Sequence, residues 1–340
     1  MTTKTPVSTN VVPERVPMGM ADYIPYLISM IGVPPYLFEG MTSFSLFLEA
    51  DPGLRIGEHN VVDKYLNRPL GCSQNECVYR RANTNPYLVL SDIPKSVSTT
   101  GDQSHSIAYQ EVALIIPVIV QDLKVAGYFL PILFVDGPPG GGDQLQGAVP
   151  IVIGREMYGL PKVPAKIELG YQGRNLNSAT VSLFGDEIIK VTALSAHKGP
   201  EVDHFTDKQR LHFAEKAFGP IKPNANYTSG TTSDGHVVDL KHIGHGNPLI
   251  GLRQMRNARD LKLSGHQDIV ESPYAMDPMQ MPSPLGNGVQ IEFDLSSGFF
   301  SELHLQEKYV LQYLTDGAVY QEIDATFGDP EQTTVRHAPD

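Results

Sequence analysis

Two apolar runs, "YQEVALIIPVIV" (109–120) and "VAGYFLPILFVD" (125–136), stand four residues apart, and no other feature limits the folding of this chain as strongly. Both are dense in β-branched and aromatic side chains, which suit a pleated surface better than a helix. Each run is apolar at successive positions, so both faces of each strand must be buried, and the polar link "QDLK" is short enough for a hairpin. The pattern recurs in "AKIELGYQ" (165–172), "SATVSLF" (178–184) and "EIIKVTALSA" (187–196), and "GVQIEFDL" (288–295) alternates apolar and polar residues. Strands this closely spaced leave no room for long crossover helices. The chain is therefore expected to be mainly β (α+β), with an antiparallel sheet closed into a barrel that hides its edges and a few outer helices.

Two helices are readable. "TDKQRLHFAEKAFG" (206–219) carries Thr206 and Gln209 at capping-box spacing and stops at Gly219. "PIVIGREMYG" (150–159) opens on Pro150, which suits the first helical position, and closes on Gly159, with Pro161 preventing continuation. Lys162 is thereby placed just past a helix C-terminus. Between hairpin and helix, "GPPGGGD" (137–143) lacks the Gly-Lys-Ser/Thr of a phosphate cradle and is flanked by Asp136 and Asp143, so it reads as a flexible connector or lid.

Several function classes are excluded by charge and composition. The 38 acidic and 26 basic residues leave a net charge of −12, which repels phosphates and anionic lipid, so no nucleic-acid or membrane partner is expected. The longest apolar runs are interrupted by proline and fall far short of the roughly 18 residues that span a bilayer. No secretory signal pattern opens the chain, and a cytoplasmic location is expected, with Cys72 and Cys77 of "CSQNEC" as reduced thiols rather than one local bridge. Residues 21–327 read as a single domain between polar arms at 1–20 and 328–340. No metal or cofactor is expected: "HIGH" (242–245) offers two histidines among glycines without a third ligand. Arg253, Arg256 and Arg259 recur every third residue in "GLRQMRNARDLK" (251–262), which suits a solvated face or one arginine turned into a pocket.

Read from its neighbours alone, Lys162 is either a surface cation capping the preceding helix or a nucleophile held in the apolar run "YGLPKVPA". An ordinary lysine is neutral, and so nucleophilic, only about one time in two thousand at pH 7. Burial or a nearby cation must make up the difference, while the partial negative charge of the helix end opposes it.

Four segments in order, "PYLFEGMTSFSLFLEADP" (35–52), "YQEVALIIPV" (109–118), "YFLPILFVD" (128–136) and "GREMYGLPK" (154–162), resemble the acetoacetate decarboxylase superfamily. The resemblance implies that superfamily's double-barrel-like β fold, a homo-oligomer, and a small-molecule carbonyl substrate. It also implies a Schiff base on Lys162, with Glu111 handling substrate or proton. Tyr109 joins the pocket by the same motif. Two departures stand out. The family's second lysine is Val163 here, and two cations about 5 Å apart would repel by roughly 3 kcal/mol at an effective dielectric of about 20, so about half of the needed activation is expected to be missing. The family's active-site arginine falls on Met41, and a further acidic position is matched by Asp92. Decarboxylation of a β-keto acid is the leading expectation. An aldolase or dehydratase on a bulkier carbonyl compound, or a non-catalytic binding barrel, are the alternatives.

Overall fold

The two apolar runs form an antiparallel hairpin, β4 (Ile107–Val120) and β5 (Val125–Asp136), turned by residues 121–124 with Lys124 at φ 54°. The computed structural model describes residues 35–337 apart from 50, 73–76, 83–84, 100–105, 138–149, 152–153, 156–157, 199–205, 234, 241–247, 257–263, 279–282, 286, 297, 312–317 and 328–331. The segments expected as an N-terminal arm (1–20), most of the glycine-rich loop and the "HIGH" histidines lie outside the described residues.

Around the hairpin grows a sheet in the order β10 (Ile221–Pro223), β11 (Ser229–Thr232), β12 (Val237–Asp239), β5, β4, β3 (Tyr87–Ser98), β1 (Tyr36–Phe47), β19 (Ala318–Phe327) and β15 (Tyr274–Pro278). β2 (Tyr79–Arg81) adds to β4 and β16 (Ser283–Pro284) to β19, while β13 (Leu249–Arg256) joins β5 to β14 (Ser264–Ser272) and β14 to β20 (Thr334–His337). A second, antiparallel sheet runs β18 (Lys308–Leu311), β17 (Asn287–Phe293), β9 (Asp186–Lys198), β8 (Asn175–Leu183) and β7 (Lys166–Gln172). One apolar layer, with Phe44, Leu90, Val112, Val181 and Val289, fills the space between the two sheets. The other, with Tyr36, Tyr109, Tyr158 and Phe327, covers the opposite face of the larger sheet and takes in Ala214 and Phe218 of the helix α2 (Asp207–Phe218).

The strand-dominated fold is as the sequence implies, with two differences in detail. Among the described residues neither sheet closes on its first strand, and the larger one is not purely antiparallel. The free edge of β5 is shared by three short parallel partners, Val237 of β12, Leu249–Ile250 of β13, and Lys162–Pro164, which form β6. A parallel neighbour needs a crossover, and the described residues 150, 151, 154, 155 and 158, all helical, lie on it between β5 and β6. The second difference is at the C-terminus. Within the segment read as a flexible tail, Thr334–His337 pair with Glu271–Asp268 as β20, because Arg336 joins Glu271 and Asp122 and His337 Nδ1 lies 2.8 Å from Asp268.

Helix α1 (Pro52–Val62) was not read from sequence; Asp51 caps it, accepting from the Leu54 amide at 2.8 Å, and Pro52 stands at its start. Helix α2 occupies the segment read as helical, with Gly219 closing it at φ 76°. A short helix α3 (Gly298–Glu302) precedes β18. Cys72 and Cys77 are not joined in a disulfide. Among the described residues no helix is long and apolar enough to cross a membrane.

Candidate functional site

Lys162 opens β6, opposite Leu133 of β5, and only 7% of the residue is exposed. Glu111 lies one strand further, on β4, opposite Val135. Two strand spacings separate their backbones, about 10 Å. The lysine stem spans that gap, so that Nζ donates to Glu111 Oε2 at 3.3 Å and lies 5.2 Å from the centre of the Tyr109 ring. Tyr109 and Glu111 are two apart on one strand and so share a face. The motif Tyr-x-Glu thus supplies the ring and the carboxylate that meet one amine.

The amine borders a cavity of about 40 Å³ whose wall is mostly apolar and rich in aromatics, Tyr36, Phe38, Tyr109 and Phe327, with Ser96 as a small polar residue. Tyr158 lies behind, its ring centre 4.4 Å from that of Phe327. Burial pushes the Tyr109 hydroxyl well above its ordinary pKa, and the Glu111 carboxylate adds to the effect. Tyr274 moves the same way, by burial first and then Glu111. Tyrosinate is thus disfavoured at Tyr109 and Tyr274. Two roomier grooves, of about 510 and 390 Å³, meet at Lys308 along the second sheet, but neither is lined by Lys162 or Glu111.

The turn at 158–162 is shaped by what the chain must avoid. Gly159 has φ 65°, and a Cβ there would lie 2.3 Å from the Arg253 amide nitrogen, so only glycine lets this turn lie on β13. The Leu160 amide donates to the Gly154 carbonyl at 2.9 Å and the Lys162 amide to the Leu160 carbonyl at 2.8 Å, which aims the lysine back under the helical segment. Asp136, ending β5, accepts from the Ile167 amide at 2.7 Å and ties the start of β7 to the hairpin.

Three further residues suggested by the sequence do not join the cavity. Val163 is adjacent to Lys162 in an extended strand, so its side chain leaves by the other face and packs into the layer between the sheets. The expectation that valine deprives Lys162 of a neighbouring cation is corrected by this geometry: a lysine at 163 would start on the opposite face of β6. Asp92 shares its face of β3 with Leu90, again toward the second sheet, where it accepts from the Tyr171 hydroxyl at 2.7 Å. Met41 is buried in the same apolar layer as Tyr109, but it does not line the cavity. It reaches that layer through a bulge: the register of β1 against β19 shifts between Phe38 and Met41, where Gly40 has φ 65° and its amide donates to Asp324 at 2.8 Å. Arg253 pairs with buried Asp268, so it is not turned into the pocket. The aromatic wall was missed because Tyr36, Phe38 and Phe327 come from β1 and β19, distant in sequence from the lysine. Among the described residues no three His, Cys, Asp or Glu side chains gather as a metal site would require.

A protein-family profile, acetoacetate decarboxylase (ADC), matches residues 82–245, which hold Tyr109, Glu111 and Lys162. The fold is similar to that of the acetoacetate decarboxylase of Legionella pneumophila subsp. pneumophila str. Philadelphia 1, with a TM-score of 0.57 and 14% identity over 94% of each chain. It is similar also to an acetoacetate decarboxylase-like enzyme from Sphingomonas wittichii RW1, at TM-score 0.52 and 14% identity over 94% of this chain and 99% of that one. The enduracididine biosynthesis enzyme MppR with HEPES buffer bound gives TM-score 0.52 and 12% identity over 91% and 89%. No curated protein sequence matches the chain.

Proposed function

We propose that this chain, whose residues 82–245 match the acetoacetate decarboxylase profile, is a Schiff-base-forming lyase of that superfamily whose nucleophile is Lys162 and whose substrate is a small β-keto acid or related carbonyl compound. The supporting observation is the buried Lys162 amine at an aromatic cavity with the Glu111 carboxylate 3.3 Å away. In this reading a proton passes from Nζ to Glu111 Oε2, which frees the nitrogen lone pair. The free amine then attacks the carbonyl carbon. Protonated Glu111 returns its proton to the carbinolamine oxygen, which leaves as water, and the nitrogen lone pair completes the iminium.

From that point the iminium is the electron sink. The electron pair of the bond to the adjacent carboxylate moves toward nitrogen, carbon dioxide leaves, and an enamine remains. A proton drawn from water through Glu111 is added to the enamine carbon, and water hydrolyses the resulting iminium to ketone and free lysine. The cavity assists the bond cleavage. Among the described residues that line it, Lys162 is the one cation, so a substrate carboxylate enters an aromatic wall that favours its departure as neutral carbon dioxide.

A second outcome uses the same intermediate. MppR, which shares the fold, has been seen with the condensation product of pyruvate and imidazole 4-carboxaldehyde. Cleaving or forming a bond to a hydroxylated carbon on the Lys162 enamine would make this chain an aldolase or dehydratase. Both outcomes require exchange of the substrate's carbonyl oxygen with solvent. Enzyme-dependent incorporation of ¹⁸O from labelled water into a panel of ketones and keto acids, lost in Lys162→Ala, is expected. Carbon dioxide release separates decarboxylation from aldol chemistry. Binding of panel compounds without any exchange would leave a non-catalytic pocket and defeat the proposal.

A further inference from the structure

Gly154 occupies a helical position without any conformational reason to be glycine. Its φ is not in the left-handed region, and alanine is favoured over glycine within helices. What its missing side chain provides is space for one neighbour. A Cβ built on Gly154 would lie 2.7 Å from Lys162 Cδ, 2.8 Å from Cε and 3.2 Å from Cγ, and among the described residues outside its own helical segment none comes as near. The stem of the lysine thus runs directly under the Gly154 backbone before Nζ reaches Glu111 and the Tyr109 ring. The Leu160 amide, bonded to the Gly154 carbonyl, holds the two ends of the turn at this spacing.

We infer that Gly154 is a positioning residue: its bare Cα is the roof that holds the Lys162 side chain in the one path that brings Nζ to Glu111. The catalytic meaning of this position rests on the Schiff-base reading above; the geometric statement does not. Adding a methyl group at 154 displaces the flexible stem rather than any backbone, so the fold survives and the amine leaves its place. A glycine kept only for chain conformation would behave differently, since alanine would then leave the amine where it is.

The test is Gly154→Ala, read without substrate. A carbodiimide joins a lysine and a carboxylate in direct contact through a zero-length amide, and peptide mass spectrometry quantifies the Lys162–Glu111 product against the exposed pair Lys95–Glu39, whose Nζ and Oε2 are 2.5 Å apart. We expect Gly154→Ala to lower the Lys162–Glu111 product at least fivefold relative to that control, with a Tm equal to or above that of the parent protein. A second arm measures ¹⁸O exchange, expected to fall at least tenfold. An unchanged crosslink ratio at unchanged Tm overturns the positioning role even if the parent protein exchanges oxygen. A lost crosslink in a protein whose parent never exchanges oxygen upholds the role of Gly154 and overturns the Schiff-base reading alone.

Discussion

Glu58 lies in α1 with no exposed surface, and neither carboxylate oxygen has a hydrogen-bond partner among the described residues. Arg81 is its nearest cation, with Nη1 3.5 Å from Oε2, too long to donate a good hydrogen bond. Burial therefore dominates and pushes the Glu58 carboxyl from its ordinary 4.5 up to about 8, with Arg81 and then Arg55 pulling the other way. Because the folded value is the higher one, the fold keeps a proton that the unfolded chain releases. Stability from this group is complete below about pH 4.5 and is lost as pH rises toward 8. Each pH unit inside that window costs about 1.4 kcal/mol, so the stretch from pH 6 to 8, allowing for half-titration at its upper end, costs about 2 kcal/mol. Glu58→Gln removes the titration while keeping the shape. Urea unfolding of both proteins at pH 6, 7 and 8 should show the parent losing about 2 kcal/mol relative to the variant across the series. Parallel losses in both proteins would refute the buried, protonated carboxyl.

Other substitutions test separate parts of the structure. Glu111→Gln should slow turnover by on the order of 10²- to 10⁴-fold, the scale of positioned acid–base catalysis, and should slow imine trapping with it, because Glu111 both frees the amine and protonates the carbinolamine oxygen. Steady-state assay with borohydride trapping at matched substrate checks both halves. Val163→Lys should destabilise the fold through crowding of the inter-sheet layer, by on the order of 1–3 kcal/mol in urea unfolding, without accelerating imine formation; faster trapping would show that position 163 communicates with Lys162 after all. Arg336→Met removes the partner of Glu271 and Asp122 and should destabilise by roughly 3–5 kcal/mol, measured by urea unfolding, because Glu271 is only 3% exposed and would be left with the Tyr79 hydroxyl.

The hairpin, the strands 166–198 and helix α2 were legible because each is specified by local residues: β-branched runs, turn residues and caps. The motifs Tyr-x-Glu and Pro-Lys likewise point to Glu111 and Lys162, which the fold brings together from strands 51 residues apart. What could not be read is which face of a strand a residue uses once its register is interrupted. Met41 reaches the Tyr109 layer only because of the bulge at Gly40, and Ser96 follows a similar shift between Ile93 and Ser96. Asp92 and Val163 matched family positions in sequence but lie on the far face, since neighbouring strand residues point apart. The pairing of Thr334–His337 was hidden for another reason: its anchors, Asp122, Asp268 and Glu271, are scattered along the chain, and a short polar strand has no apolar pattern of its own.

The central claim is that a covalent bond forms between Lys162 Nζ and a carbonyl carbon. Borohydride reduction during incubation with β-keto acids, 2-keto acids and aldehydes, followed by peptide mass spectrometry, reads that bond directly. The predicted result is a reduced adduct confined to the peptide containing Lys162, dependent on the carbonyl compound and absent from Lys162→Ala. A protein that binds a panel compound by calorimetry but carries no adduct at Lys162, or carries the same adduct in Lys162→Ala, would contradict it.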